Sequence, residues 1–303
     1  MLEISHLTKI YPNGFKANDD ISISVSRGER IGIIGPNGAG KTTLIRQLFG
    51  LVKPTSGTIL LDGVDTGPNP GIVPLTIGYV PQMPLSFPGL TVRETVSHML
   101  RLGGRGGTRL ARDVESVLDS FSLGSCAGMS GYQLSGGLRK MTLMAIAWAS
   151  DKKLLVMDEP TSMVDIGRKY RVWDLIRSAA DRTILISSHD MNEIQKVCDR
   201  VYVLVGGRVV VSGTAADIAR SMKVPAEMEF VPLRRDTALD ALKRSRASWN
   251  STENIITVSF PELHDAISFA ADVEKEAGVE YLKIEAPSFE KAILAFTGEE
   301  HHA

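Results

Sequence analysis

The stretch Arg30-Ile-Gly-Ile-Ile-Gly35-Pro-Asn-Gly-Ala-Gly-Lys41-Thr42 decides the fold. Its first five residues are a short apolar, β-branched run, the signature of a buried strand. The next eight fit G-x-x-x-x-G-K-[ST], and the helical pattern of 41–49 follows at once. Strand, glycine loop and helix in that order form a phosphate-binding loop. Gly35, Pro36, Asn37, Gly38, Ala39 and Gly40 shape a loop whose backbone N–H groups point inward at a triphosphate. The helix N-terminus adds partial positive charge. Lys41 reaches for the β- and γ-phosphates, Thr42 is a candidate Mg²⁺ ligand, and Thr43 completes the phosphate-binding set.

Working outward, Leu154-Leu-Val-Met-Asp158-Glu159 is a second apolar strand, ending in two acids. A buried strand delivers Asp158 to the carboxyl edge of the sheet, beside the loop, where it can hold the Mg²⁺ shell. Glu159 is the spare carboxylate, suited to act as base toward an attacking water. Further strands are expected at 21–25, 58–61, 76–80, 183–187 and 201–205, and helices at 91–102, 134–150, 167–180 and 191–197. Several of these strands are apolar throughout, as strands buried on both faces are. The expected fold class is α/β: a P-loop NTPase core with a mostly parallel sheet.

Residues 84–150 break the alternation and read as a helical insertion, within which 101–112 (RLGGRGGTRLAR) reads as a loop interrupting a helix. A second boundary is expected near 220. Residues 1–220 carry 25 basic and 20 acidic side chains, whereas 221–303 carry 9 and 15. Pro225 lies just past that point, and strands expected at 226–231, 255–260 and 279–284 make 221–303 a small α+β domain.

With 34 Lys plus Arg against 35 Asp plus Glu, the chain does not have the basic balance of a bulk nucleic-acid binder. Cys126 and Cys198 have no metal-type spacing, which fits a reducing cytoplasm. The N-terminal MLEISHLTKIYPNG lacks the apolar core of a secretory signal. No apolar run approaches the ~18 residues of a spanning helix. The four arginines at 101, 105, 109 and 112 read first as a solvated loop, or as a contact for anionic headgroups or an acidic partner.

At Leu134-Ser135-Gly136-Gly137 the pattern resembles a family. The order phosphate loop, Gln82, LSGG, MDEP and His189 resembles the ATP-binding subunit of ATP-binding cassette (ABC) transporters, over about residues 1–220. The resemblance implies that Tyr11 stacks on adenine and that Gln82 meets Mg²⁺ and the attacking water. It implies that His189 is a switch residue for the γ-phosphate and that Asp165 lies at a dimer seam. It assigns Ser135, Gly136 and Gly137 to the γ-phosphate bound by a second subunit, so that two chains sandwich two nucleotides. Here LSGGL replaces the usual LSGGQ, with Leu138 in place of Gln, and SMVD replaces SGLD. Leu138 removes a polar side chain and leaves the backbone donors.

Residues 287–298 (PSFEKAILAFTG) resemble the ending of exporter-type cassettes, drug- and antibiotic-resistance exporters among them. The expectation is therefore an ATP- and Mg²⁺-dependent ATPase, working as a homodimer or with a sibling ATPase. It would sit on the cytoplasmic face of the cell membrane through an integral membrane permease. An importer ATPase and a soluble cassette ATPase remain the alternatives. The soluble kind usually carries a long coiled-coil insertion or two cassettes per chain, and neither pattern is present.

Overall fold

The computed structural model describes residues 1–303 except 86, 88, 180, 222–223, 246 and 298–303. It divides into two compact units, Met1–Thr214 and Ala215–Ala303. The division falls six residues before the expected 220, because the helix at 215–221 packs with the second unit.

The first unit opens with β1 (Leu2–Ile10) and β2 (Lys16–Val25), an antiparallel pair. β3 (Arg30–Ile34) leads through the glycine loop into α1 (Lys41–Leu48). β4 (Ser56–Leu61) and β5 (Val64–Asp65) follow, then α2 (Ile72–Thr76) and β6 (Ile77–Val80). The insertion supplies α3 (Val92–Leu102), α4 (Arg109–Ser120) and α5 (Gly136–Ala149). The core resumes with β7 (Leu154–Asp158), α6 (Ile166–Ser178), β8 (Thr183–Ser188), α7 (Met191–Val197), β9 (Arg200–Val205) and β10 (Arg208–Gly213).

The strands form two sheets. One is four-stranded and antiparallel, in the order β2-β1-β4-β5. The other is six-stranded, in the order β10-β9-β3-β8-β7-β6, parallel throughout except for the edge strand β10. A single apolar core joins them: Leu2, Ile4, Ile21 and Ile23 of the first meet Ile31, Ile33, Leu154 and Val156 of the second, with Leu44, Ile45 and Leu48 of α1. β7 and β8 are buried along their whole length, which is why they read as unbroken apolar runs.

The 101–112 stretch is less irregular than expected. α3 runs through Arg101, and α4 starts at Arg109 and carries Arg112; only the turn between them holds Arg105. Thr91 explains the firm start of α3. Its hydroxyl accepts from the Glu94 N–H, and Glu94 returns a bond to the Thr91 N–H, closing a capping box.

The second unit begins with α8 (Ala215–Ser221) and continues as β11 (Ala226–Pro232), α9 (Arg235–Ser245), β12 (Ser248–Thr252), β13 (Ile255–Phe260), α10 (Leu263–Ala277), β14 (Val279–Glu285) and α11 (Phe289–Thr297). From β11 to β14 this is a β-α-β-β-α-β unit with an antiparallel sheet in the order β12-β13-β11-β14, the ferredoxin-like arrangement. Ala226, Met228 and Phe230 alternate inward on β11. They pack with Ile256, Val258 and Phe260 of β13 and with Ala266, Phe269 and Val273 of α10.

Candidate active site

In the parallel sheet β7, β8 and β3 are consecutive neighbours. Their carboxyl ends therefore lie side by side, placing Asp158 and Glu159, then Ser188 and His189, then the glycine loop, along one edge. Nucleotide-binding folds of this class use that edge.

The loop holds its shape through its glycines and its neighbours. Gly40 has φ 101°, and a Cβ there would lie 2.3 Å from the Ala17 carbonyl oxygen. Asn18 Nδ2 donates to the Gly40 carbonyl at 3.2 Å, and Gln47 Nε2 fixes Asn18 by donating to its Oδ1 at 2.6 Å. No side chain caps α1, so its first turn presents backbone N–H groups. Lys41 is buried, and its Nζ donates back to the carbonyls of Gly35 and Pro36. Burial lowers its pKa, while Glu159 and Asp158 pull the other way.

A cleft of about 330 Å³ lies over the loop, lined by Phe15, Ala17, residues 37–43, Gln82 and Glu159. The structure thus brings together Asn37, Gly38, Ala39, Gly40, Lys41, Thr42 and Thr43 with Gln82 and Glu159, whereas Gly35, Pro36, Asp158 and His189 are not among the lining residues. Tyr11 is not among the lining residues. It sits in the turn after β1, and its hydroxyl lies 3.5 Å from Thr43 Oγ1. The aromatic side chain in the cleft wall is Phe15, 57% exposed, which the sequence reading passed over. The signal was available: Phe15 stands four residues after Tyr11 across a Pro-Asn-Gly turn.

The carboxylate pair behaves as two different groups. Asp158 is 1% exposed. Its Oδ1 accepts from the Ser187 hydroxyl, and its Oδ2 is buried with no hydrogen-bond donor among the described residues. A buried carboxylate oxygen left without a donor is costly, and a hydrated divalent cation at this edge would satisfy it. The residues therefore fit Mg²⁺. Glu159 follows with φ 50°, a left-handed backbone that non-glycine residues adopt at a cost of about 1–3 kcal/mol. That turn directs the chain away from β7 while the Glu159 N–H still reaches the Ser187 carbonyl at 3.0 Å. Glu159 Oε2 lies 2.8 Å from His189 Nδ1, so carboxylate and imidazole form one unit.

Behind this unit lies Glu193, a buried residue of α7. Its carboxylate accepts from Thr161 Oγ1 at 2.8 Å, Ser188 Oγ at 2.7 Å and Trp173 Nε1 at 3.1 Å. It ties the segment after Glu159 to the residue before His189. Burial raises its pKa against the pull of those three hydrogen bonds. Its position four residues after His189 is the only sign it leaves in the sequence.

Ser135, Gly136 and Gly137 do not line the cleft of their own chain. Ser135 caps α5, its Oγ accepting from the Leu138 N–H at 3.3 Å. Gly137 is close against the next segment, since a Cβ on it would lie 2.6 Å from the Met163 carbonyl oxygen. Asp165 caps α6 by accepting from the Arg168 N–H, and hydrogen bonds from the Arg168 backbone and side chain lower its pKa. It too is not among the residues that line the cleft.

A strand, a glycine loop and a helix at the carboxyl edge of a parallel sheet, faced by a buried carboxylate pair, define a P-loop nucleoside triphosphatase. The family model for the ABC transporter matches residues 18–162. The Nod factor export ATP-binding protein I of Cupriavidus metallidurans is 30% identical over 99% of this chain and 98% of its own length. The retinal-specific phospholipid-transporting ATPase ABCA4 of Mus musculus is 36% identical over 70% of this chain. The match spans only 9% of that much longer protein. Among solved structures, the ATP-binding subunit of an ABC transporter superposes with a TM-score of 0.67 at 26% identity, covering 73% of this chain and 92% of that one. A dimeric ATP-binding cassette in a post-hydrolysis state with ADP and Pi superposes at 0.65 and 26% identity, covering 71% and 98%. The chain belongs to the ABC transporter family and carries its ATP-binding ATPase domain in the first unit.

Proposed function

We propose that this chain is the ATP-hydrolysing subunit of a membrane exporter, docking on a separate permease at the cytoplasmic face of the membrane. One observation carries the partner. Gln82 lines the nucleotide cleft, and Met83 and Leu85, directly after it, are 66% and 57% exposed. Apolar side chains held in water beside a residue that faces the substrate suit a partner whose docking follows nucleotide state. No helix among the described residues is long and apolar enough to cross a membrane. Similarity along nearly the whole chain to a protein named for export favours export over import.

The site residues take the following roles in this reading. The loop from Gly35 to Gly40 and the α1 N-terminus hold the phosphates through backbone N–H groups, with Lys41 turning from its carbonyl contacts onto the β- and γ-oxygens. Thr42, Gln82 and Asp158 are the residues that would hold Mg²⁺, which when bound neutralises charge on the phosphate oxygens. Glu159 accepts the proton of the attacking water, and His189 orients that carboxylate and faces the γ-phosphate. Tyr11 and Phe15 flank the adenine end. Ser135, Gly136 and Gly137, which do not line their own cleft, serve the nucleotide of a second copy or sibling chain, with Asp165 at the seam. Closure of two chains around the substrate moves the permease, and hydrolysis reopens them.

The test is a detergent pull-down of tagged Glu159→Gln protein with ATP and Mg²⁺, followed by mass spectrometry. The expected result is an integral membrane protein at near-stoichiometric yield. A soluble dimer alone, or ribosomal or DNA-bound material, would move the ATPase to the soluble alternative.

A further inference from the structure

α5 carries a lysine where its pattern calls for an apolar residue. Lys140 is 1% exposed and shares the buried part of the helix with Met141, Met144 and Ala147. Its ammonium makes no salt bridge within the described residues. Instead it donates to three backbone carbonyls: Pro81 at 2.6 Å, Gln82 at 2.9 Å and Asp158 at 3.0 Å. An ammonium has three donors, so all are used. Those carbonyls lie just past the end of β6 and at the last residue of β7, far apart in the chain. Burial pushes the Lys140 pKa down to about 8, with Asp158, Glu159 and Glu193 drawing it back up, so the group is still mostly charged at neutral pH. An apolar side chain would fill the same space and leave one buried and two part-buried carbonyls without this donor. An ammonium placed here therefore does something that packing alone does not need.

The same helix begins at Gly136, one residue after Ser135. Lys140 stands little more than one turn further on. The helix end assigned to a neighbouring copy's nucleotide is thus tied directly to the backbone of the two residues, Gln82 and Asp158, assigned to this chain's own site. We propose that Lys140 is a positioning residue: its three hydrogen bonds hold Gln82 and Asp158 in register with each other and with the Ser135–Gly137 end of α5. The nucleotide-facing geometry of one site is thereby set by the helix that serves the other. This deepens the ATPase reading above and rests on it for its kinetic part.

The experiment uses the full chain carrying Lys140→Met, which keeps length and removes the donors, beside Lys140→Arg, which keeps charge and donors. Two readouts are taken: amide hydrogen exchange of the nucleotide-free protein over residues 79–85, and KM and kcat for ATP. In Lys140→Met, exchange around Gln82 is expected to be about tenfold faster while the rest of residues 1–214 is little changed. With it, kcat falls at least about tenfold, and KM for ATP moves less than about threefold because the Lys41 loop is untouched. Lys140→Arg recovers most of both. Unchanged exchange and kcat in folded Lys140→Met overturns the proposal. So does a uniform rise in exchange across the unit with no recovery in Lys140→Arg, which would make Lys140 a packing residue only. Should Lys140→Met not fold, Lys140→Leu, which also removes the donors, carries the same comparison. If the wild-type chain hydrolysed no ATP, the functional reading would fall, while the exchange comparison would still decide Lys140.

Discussion

Glu159→Gln separates the chemistry of the site from its architecture. The amide has nearly the shape of the carboxylate, leaves the backbone at φ 50° and keeps the bond from the residue 159 N–H to the Ser187 carbonyl. It can still hydrogen-bond His189 across the 2.8 Å separation. What it loses is the capacity to take a proton from water. A positioned general base contributes about 10²–10⁴-fold, so turnover is expected to fall by at least about 10²-fold, or about 2.7 kcal/mol of barrier. Stability should not follow it down. Asp158 and Glu159 are 1% and 7% exposed, and replacing one of two adjacent buried carboxylates by a neutral amide reduces both desolvation cost and repulsion. The attraction to Lys41 that is lost offsets part of that gain. A net gain of up to about 1 kcal/mol would raise Tm by about 2–4 °C for a unit of this size. Phosphate release at saturating ATP measures the first effect, and thermal unfolding without nucleotide measures the second. Turnover within about threefold of wild type would remove Glu159 from the role of base. A fall in Tm of several degrees would show that the carboxylate is held by more than the contacts described, and would refute the charge argument.

Two further predictions concern the mouth of the cleft and the second unit. Tyr11→Ala and Phe15→Ala are each expected to weaken ATP binding by about five- to twentyfold, the lower part of the range of one aromatic–base stack. A fluorescent-nucleotide titration reads this. Loss in Phe15→Ala alone would assign the stack to the residue in the cleft wall, and no loss in either would deny the mouth an aromatic platform. In the second unit, hydrogen bonds from Lys283 and Lys291 hold the Glu285 carboxyl down at about 2. Because the folded value lies below the unfolded one, this contribution is present above about pH 4.5 and is lost as pH falls toward 2. Glu285 is more than a third exposed, so the contribution is kept below about 1 kcal/mol. Relative to the intrinsic rate at each pH, amide exchange over 279–293 of the full chain should accelerate in that window for wild type. Lys291→Met should already be faster at pH 6 and change less on acidification; an identical pH profile in the two would refute the pairing.

The sequence by itself determined the parts whose contacts lie close along the chain. The loop from Gly35 to Gly40 needs a strand before it, a helix after it and glycines whose φ is positive, and all three are local features. The Asp158–Glu159 pair is legible for the same reason, as two acids closing an apolar strand. So is the helical insertion, whose capping residues Thr91 and Ser135 stand at the starts of α3 and α5. The break expected within 101–112 is present but shorter, since glycines 103, 104, 106 and 107 occupy a turn between two helices and leave the flanking arginines helical. β1 leaves little mark in the sequence because only three of its nine residues are buried and its pattern is broken by register shifts against β2.

Only the tertiary structure decided which distant segments meet. Glu159 and His189 are joined because β7 and β8 are adjacent and in a register that pairs Asp158 with Ser187. Phe15 reaches the cleft wall because the β1–β2 turn lies beside the glycine loop. Lys140 interrupts the apolar pattern of α5, and nothing near it in the sequence names its partners. Its three acceptors, 58, 59 and 18 residues away, exist only once β6 and β7 lie side by side against α5. Backbone dihedrals and hydrophobic periodicity are written into neighbouring residues. Strand order and register come instead from burying the whole chain's apolar surface at once, and no local pattern records them.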